Sequence, residues 1–239
     1  MQAIKDAELL ELWEIASSRS PLEKSLLTLA YACPEFDAGQ LAALSIGVRD
    51  AHLLQLRELM FGKRLHNVAH CPACKQKVEW EMETDGLKMQ QAAAGAPETI
   101  EWQSGDQTLH FRAPNSADLL AIAPIPPPEQ AIALLQRCLT KGGALPEILP
   151  EDAMAQLAGK LSAIDPQAEV EFELNCPNCA HRWPVVFDIT HYLWMEIQER
   201  AHRLLQEVYL LASKFSWSER DILAMSRRRR NLYLNMLQA

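Results

Sequence analysis

Cys71-Pro72-Ala73-Cys74 and Cys176-Pro177-Asn178-Cys179 are two copies of one four-residue turn, each preceded by a polar residue, His70 or Asn175, and followed by a strand-like stretch. A Cys-x-x-Cys turn lets two thiolates reach one tetrahedral metal, and two such turns complete the four-sulfur shell that Zn2+ favours. The pattern places one structural zinc ion per chain on Cys71, Cys74, Cys176 and Cys179. Catalytic zinc keeps a position open for water, and four thiolates leave none. His66, His70 and His181 flank the turns and read as solvated neighbours. Cys33 and Cys138 lie in apolar helical patterns and read as small buried hydrophobes. A thiol-disulfide site is the competing use of Cys-x-x-Cys, but neither turn has a βαβ context. Its signature would be a metal-free, fully oxidised native protein.

Compact zinc ribbons put about 15 to 20 residues between their cysteine pairs. Here roughly a hundred intervene, so a long segment is inserted and the metal closes a long loop. After Cys74, Val78, Trp80 and Met82 alternate with Glu79, Glu81 and Glu83, the period of a half-buried strand. Residues 99–102 and 108–112 repeat it around the turn signal Ser104-Gly105-Asp106-Gln107, and 169–174 and 183–187 bracket the second cysteine turn. These strands predict a zinc-ribbon-like antiparallel sheet over 63–188 with a mixed insertion at about 84–168. Within it, Asn115 or Ser116 caps a short helix, Pro124 to Pro128 interrupt, helices follow over 129–139 and about 151–161, and Asp165-Pro166 reads as a turn.

Both ends are helical. Leu9, Leu10, Leu12, Trp13 and Ile15 recur at helix spacing, Ser20-Pro21-Leu22-Glu23 is a capping box with proline in the first turn, and another apolar set runs around Gly47. Residues 1–62 thus form an N-terminal helical unit. A long amphipathic helix starts near Asp188 or Thr190, a capping box at Ser216 or Ser218 precedes Ile222, and Ser226 caps a last helix. Residues 189–239 form a helical hairpin or three-helix tail, and the fold class is α+β.

The chain has 239 residues, 49% hydrophobic and 23% charged, with formal net charge -8. An acidic chain repels phosphate backbones, so nucleic-acid binding needs a local basic patch, and Arg227 to Arg230 is the candidate. Successive helical residues point about 100° apart, which spreads these arginines around the axis, and Glu219 and Asp221 stand near enough to pair with some. A zinc-ribbon nucleic-acid-binding or regulatory protein is therefore the alternative reading. No Gly-rich phosphate loop, nucleophile elbow or HExxH helix is present, and no enzyme is expected. No apolar run approaches the roughly 18 residues of a membrane helix, and Met1 to Glu14 are acidic and amphipathic, so a cytoplasmic protein is expected.

The order of motifs resembles a known family. Ser45-Ile46-Gly47-Val48-Arg49-Asp50, Leu53-Leu54-Gln55-Leu56-Arg57-Glu58 and Phe61-Gly62 precede the first cysteine turn. Phe111-Arg112-Ala113-Pro114-Asn115-Ser116-Ala117-Asp118-Leu119 lies between the two turns, and Phe187-Asp188-Ile189 follows the second. Last comes the most specific part, Trp217-Ser218-Glu219-Arg220-Asp221-Ile222-Leu223-Ala224-Met225-Ser226 with Arg228, Arg229 and Tyr233. This order is similar to that of T-even-type phage baseplate proteins and baseplate hub assembly chaperones, found with contractile phage tails and extracellular contractile injection systems. The resemblance implies a structural component or assembly chaperone made in the cytoplasm, released again or incorporated into a tail-like particle. It implies hub, spike or wedge proteins as partners, and no nucleic acid, membrane or small-molecule substrate is expected. Trp217, Arg228, Arg229 and Tyr233 are the partner-contact candidates, since aromatic and arginine anchors dominate interfaces. The alternative is that Trp217 and Tyr233 staple the last two helices together.

Overall fold

In the computed structural model, which describes residues 1–88, 99–105, 107–143, 145–146 and 149–237, the chain starts with α1 (Asp6–Ala16) and α2 (Pro21–Ala32). The Ser20 and Glu23 capping box opens α2, with Pro21 in its first turn. The apolar set around Gly47 is two helices, α3 (Ala38–Ala43) and α4 (Ile46–Phe61), because Ser45 breaks the run and its hydroxyl accepts from the Val48 amide as the cap of α4. A first hairpin follows, β1 (Arg64–His70) and β2 (Lys77–Glu83), then β3 (Thr99–Ser104) and β4 (Gln107–Arg112). Next come α5 (Ser116–Ile122), capped by Asn115, α6 (Pro127–Cys138), β5 (Leu139–Lys141) and α7 (Glu151–Ile164). A second hairpin, β6 (Val170–Asn175) and β7 (Arg182–Phe187), precedes α8 (Ile189–Phe215), α9 (Glu219–Ala224) and α10 (Arg227–Met236), the last two capped by Ser218 and Ser226. The fold is α+β, with small antiparallel sheets between helices at both ends.

The strands do not form the single sheet expected around the cysteines. Among the described residues they make three: β1-β2, β3-β4-β5 and β6-β7. The two cysteine hairpins meet through side chains, not strand hydrogen bonds. Cys71, Val78 and Cys176 are buried together, Trp80 and Trp183 pack against them, and the Trp80 ring stands edge-on to Phe172 at 5.9 Å. Alternation on β2 is as read: Val78 is buried while Glu79, Glu81 and Glu83 face solvent. The insertion has its own core, in which Leu109, Phe111, Cys138 and Leu157 from β4, α6 and α7 are fully buried. Strand β5 was not foreseen, because three residues carry no periodic signal; its pairing of Leu139 with Phe111 defines it. Gly105 turns the β3-β4 hairpin at φ 59, and Asp106 of that expected turn lies outside the described residues.

Contacts also divide the chain differently from the three consecutive regions 1–62, 63–188 and 189–239. Met1–Glu35 and Thr190–Ala239 form one unit, and Phe36–Ile189 forms another. The ends of the sequence join because Asp6 on α1 accepts from Arg200 on α8 and Arg230 on α10, and both guanidinium groups also donate to Glu207. α3 and α4 go with the sheets for an equally long-range reason. The Asp165 carboxylate accepts from the Gly47 amide at 2.8 Å and the Ser45 hydroxyl at 3.0 Å, capping α4 from the far side of the insertion. Among the described residues, no helix is long and apolar enough to cross a membrane.

Candidate metal centre

The two hairpins are built alike, residue for residue. His70 faces Lys77 across the first and Asn175 faces Arg182 across the second, leaving 71–76 and 176–181 as the turns. In each, the amide of the first cysteine donates to the carbonyl of the last turn residue, Gln76 or His181, at 2.9 Å. The carbonyl of that cysteine accepts from the amide of Lys75 at 2.9 Å or Ala180 at 3.0 Å. Lys75 at φ 62 and Ala180 at φ 57 take the left-handed conformation that returns each chain to its second strand. Proline after the first cysteine fits, since its missing N–H is not needed there.

These turns bring the four thiols named by the sequence into one cluster, with all four Sγ atoms within 4.8 Å of one another. Cys71 Sγ lies 3.7 Å from Cys179 Sγ and Cys74 Sγ 3.6 Å from Cys176 Sγ. None of the six cysteines is in a disulfide; a bonded pair would stand at about 2.05 Å. A tetrahedron with metal–sulfur bonds of about 2.3 Å has sulfur–sulfur edges of about 3.8 Å, so the donor set fits a four-sulfur metal site. Cys71 and Cys176 are buried, Cys74 and Cys179 exposed. The flanking histidines stand outside the cluster: His66 faces Glu81 at 3.1 Å, His181 stacks on Trp183, and His70 is exposed. Cys33 and Cys138 are buried and are not members of the cluster, and burial pushes the Cys138 thiol up to about 11.

Electrostatics of the cluster are unequal. The Gln76 backbone amide, then the Asn178 side-chain amide at 3.6 Å, pull the Cys74 thiol down to about 6. Cys179 has the equivalent backbone amide, that of His181, but desolvation and the neighbouring sulfurs of Cys74, Cys71 and Cys176 outweigh it and push the thiol up to about 12. Four sulfurs this close cannot all ionise without a cation, because each thiolate raises the cost of the next. A bound divalent ion removes that conflict by replacing the protons.

The other candidate residues lie in the unit formed by the chain ends. Trp217 and Tyr233 are half-buried and pack on each other at 4.8 Å, and Phe215 stacks on Trp217 at 4.6 Å. Arg229 lies over the Tyr233 ring at 5.8 Å, while Arg227 and Arg228 are exposed. Arg230, from the same run, is fully buried and pairs with Asp6 and Glu207, not with Glu219 or Asp221. Sequence reasoning misses this pairing, since nothing local distinguishes Arg230 from its neighbours. Asp118 likewise carries no sequence signal beyond its place in a motif. It is almost wholly buried, accepting from both Nη atoms of Arg112 at 2.6 and 3.0 Å and from Arg137 Nε at 3.1 Å, which ties α5 to β4 and α6. Comparison with family models, curated proteins and solved structures finds no match for this chain.

Proposed function

We propose that Cys71, Cys74, Cys176 and Cys179 hold one structural Zn2+ in a zinc-ribbon-like centre of a non-enzymatic baseplate protein. Its role is that of a structural component or assembly chaperone in the hub region of a contractile phage tail or contractile injection system. The metal reading rests on the four-sulfur cluster, whose two pairs come from turns that stand 102 positions apart in the sequence, counted from Cys74 to Cys176. The baseplate reading rests on the order of motifs, above all Trp217 to Tyr233. The bound ion supplies a cross-link between the two hairpins. By the chain-entropy account, closing a loop of about 100 residues is worth about 4 to 5 kcal/mol.

The C-terminal helices supply the docking face. Arg228 and Arg229 carry cations suited to bidentate pairing with carboxylates of a hub, spike or wedge protein, and Trp217, in the link after α8, packs with Phe215 against Tyr233 of α10 to support that face. A pull-down of the tagged protein coexpressed with its neighbouring gene products, with zinc measured in the same eluate, tests both halves. Baseplate proteins with about one zinc per chain support the reading. Recovery of nucleic acid alone sinks the baseplate half, and absence of zinc sinks the metal half. Arg228→Ala with Arg229→Ala is expected to release the captured baseplate protein; undiminished capture removes this docking face.

A further inference from the structure

The two cysteine turns repeat each other, and so do the contacts between them. Cys71 Sγ to Cys179 Sγ at 3.7 Å is the counterpart of Cys176 Sγ to Cys74 Sγ at 3.6 Å, so exchanging the turns maps one contact onto the other. Each contact joins a buried cysteine, Cys71 or Cys176, to an exposed one, Cys179 or Cys74. Reagents arriving from solvent therefore meet Cys74 and Cys179 first.

One side chain breaks the equivalence. Both exposed sulfurs accept from a backbone amide, Cys74 from Gln76 and Cys179 from His181. Cys74 also accepts from the side-chain amide of Asn178 in the opposite turn, at 3.6 Å. The counterpart of Asn178 is Ala73, whose methyl group has no proton to donate to Cys179. With a divalent ion in the cluster all four sulfurs are thiolates, so protonation no longer ranks them and the hydrogen bonds do. An N–H donated to a thiolate occupies the electron pair that an electrophile needs, and it weakens as the sulfur gives up its charge.

We infer that Cys179 is the sulfur at which peroxide enters the site, and that Cys71 of the other hairpin completes the reaction; the inference rests on the metal reading. The Cys179 sulfur attacks one peroxide oxygen, the O–O bond breaks, and a sulfenic acid forms as hydroxide leaves. The Cys71 sulfur then attacks the Cys179 sulfur, so that an S–S bond forms, the S–O bond breaks and a second hydroxide leaves. Two thiolates and one hydrogen peroxide thus become one disulfide and two hydroxide ions, with the two electrons supplied by the sulfurs. This disulfide joins hairpin to hairpin, so the long loop between the turns stays closed when the ion is lost, which a bond within either turn would not achieve. Asn178 is a positioning residue that protects Cys74 without itself reacting.

The test uses the full chain loaded with one equivalent of Zn2+ and treated with substoichiometric hydrogen peroxide. Disulfides are mapped by non-reducing peptide mass spectrometry after an acid quench, while a chromogenic chelator follows zinc release. In the wild type Cys71–Cys179 is expected to exceed Cys74–Cys176 by about threefold or more at early times, with zinc leaving as the bond forms. Asn178→Ala is expected to bring the two bonds to equal amounts, and Ala73→Asn/Asn178→Ala, which moves the amide to the other turn at two exposed positions, to invert the order. Equal amounts in the wild type, an unchanged order in the variants, or a bond within one turn forming first overturns the proposal and leaves the metal reading standing. A wild type that holds no zinc after loading overturns both.

Discussion

Lys75 and Ala180 occupy the left-handed region at φ 62 and 57, where a β-carbon costs about 1 to 2 kcal/mol. Ala180→Gly removes that cost but gives the unfolded chain more freedom, by roughly 0.5 to 1 kcal/mol. The net expectation is a gain of about 0.5 kcal/mol, read as a higher urea midpoint with an unchanged slope; a lower midpoint refutes it. Gly47 is the reverse case. A β-carbon there would stand 2.2 Å from Asp165 Oδ1 and 2.8 Å from the Ala168 nitrogen, so Gly47→Ala pushes the capping carboxylate off the start of α4. A loss of about 2 to 3 kcal/mol is expected in the same assay, whereas a neutral outcome would mean that Asp165 is free to shift. The cysteines could be read from sequence because their chemistry lies in the spacing of four residues. The need for glycine at 47 could not, because the atom that would clash belongs to residue 165.

At the scale of elements, the Asp118 cluster joins α5 to β4 and α6. Burial alone would raise the Asp118 carboxyl, but the two hydrogen bonds from Arg112 and the Asn115 amide outweigh it and hold it below the usual carboxylate range. The unfolded chain therefore binds the proton more tightly than the folded one, so this contribution is fully present above the unfolded value of about 3.9 and is lost as pH falls through the depressed folded value. Asp118→Asn is expected to cost about 2 kcal/mol at pH 7 and to flatten the fall in stability below about pH 4, measured by urea unfolding across pH 2 to 7. A variant that loses stability on acidification as steeply as wild type would contradict this. Helix starts were the legible part at this scale, since Ser20, Asn115, Ser218 and Ser226 cap through bonds within three residues. The division into three small sheets, the strand β5 and the burial of Arg230 were not legible. Each is decided by residues distant in sequence, which no local period records.

For the whole molecule, the same distinction explains why the α+β class and the helical ends were readable while the grouping of Met1–Glu35 with Thr190–Ala239 was not. Hydrophobic period announces a helix but not its neighbour, and the charges of Asp6, Arg200, Glu207 and Arg230 that bring the ends together are spread over the chain. In the other unit, two hairpins with no strand hydrogen bonds between them share a small core and four sulfurs. The proposed metal cross-link there would make the stability of Phe36–Ile189 depend on the ion, and chelation under reducing conditions is expected to lower it by about 4 kcal/mol. The most direct test is zinc quantified by inductively coupled plasma mass spectrometry in protein purified without chelator, beside the Cys71→Ser/Cys176→Ser variant. About one zinc per chain in the wild type and essentially none in the variant is the result predicted; a folded wild-type protein free of metal would contradict it.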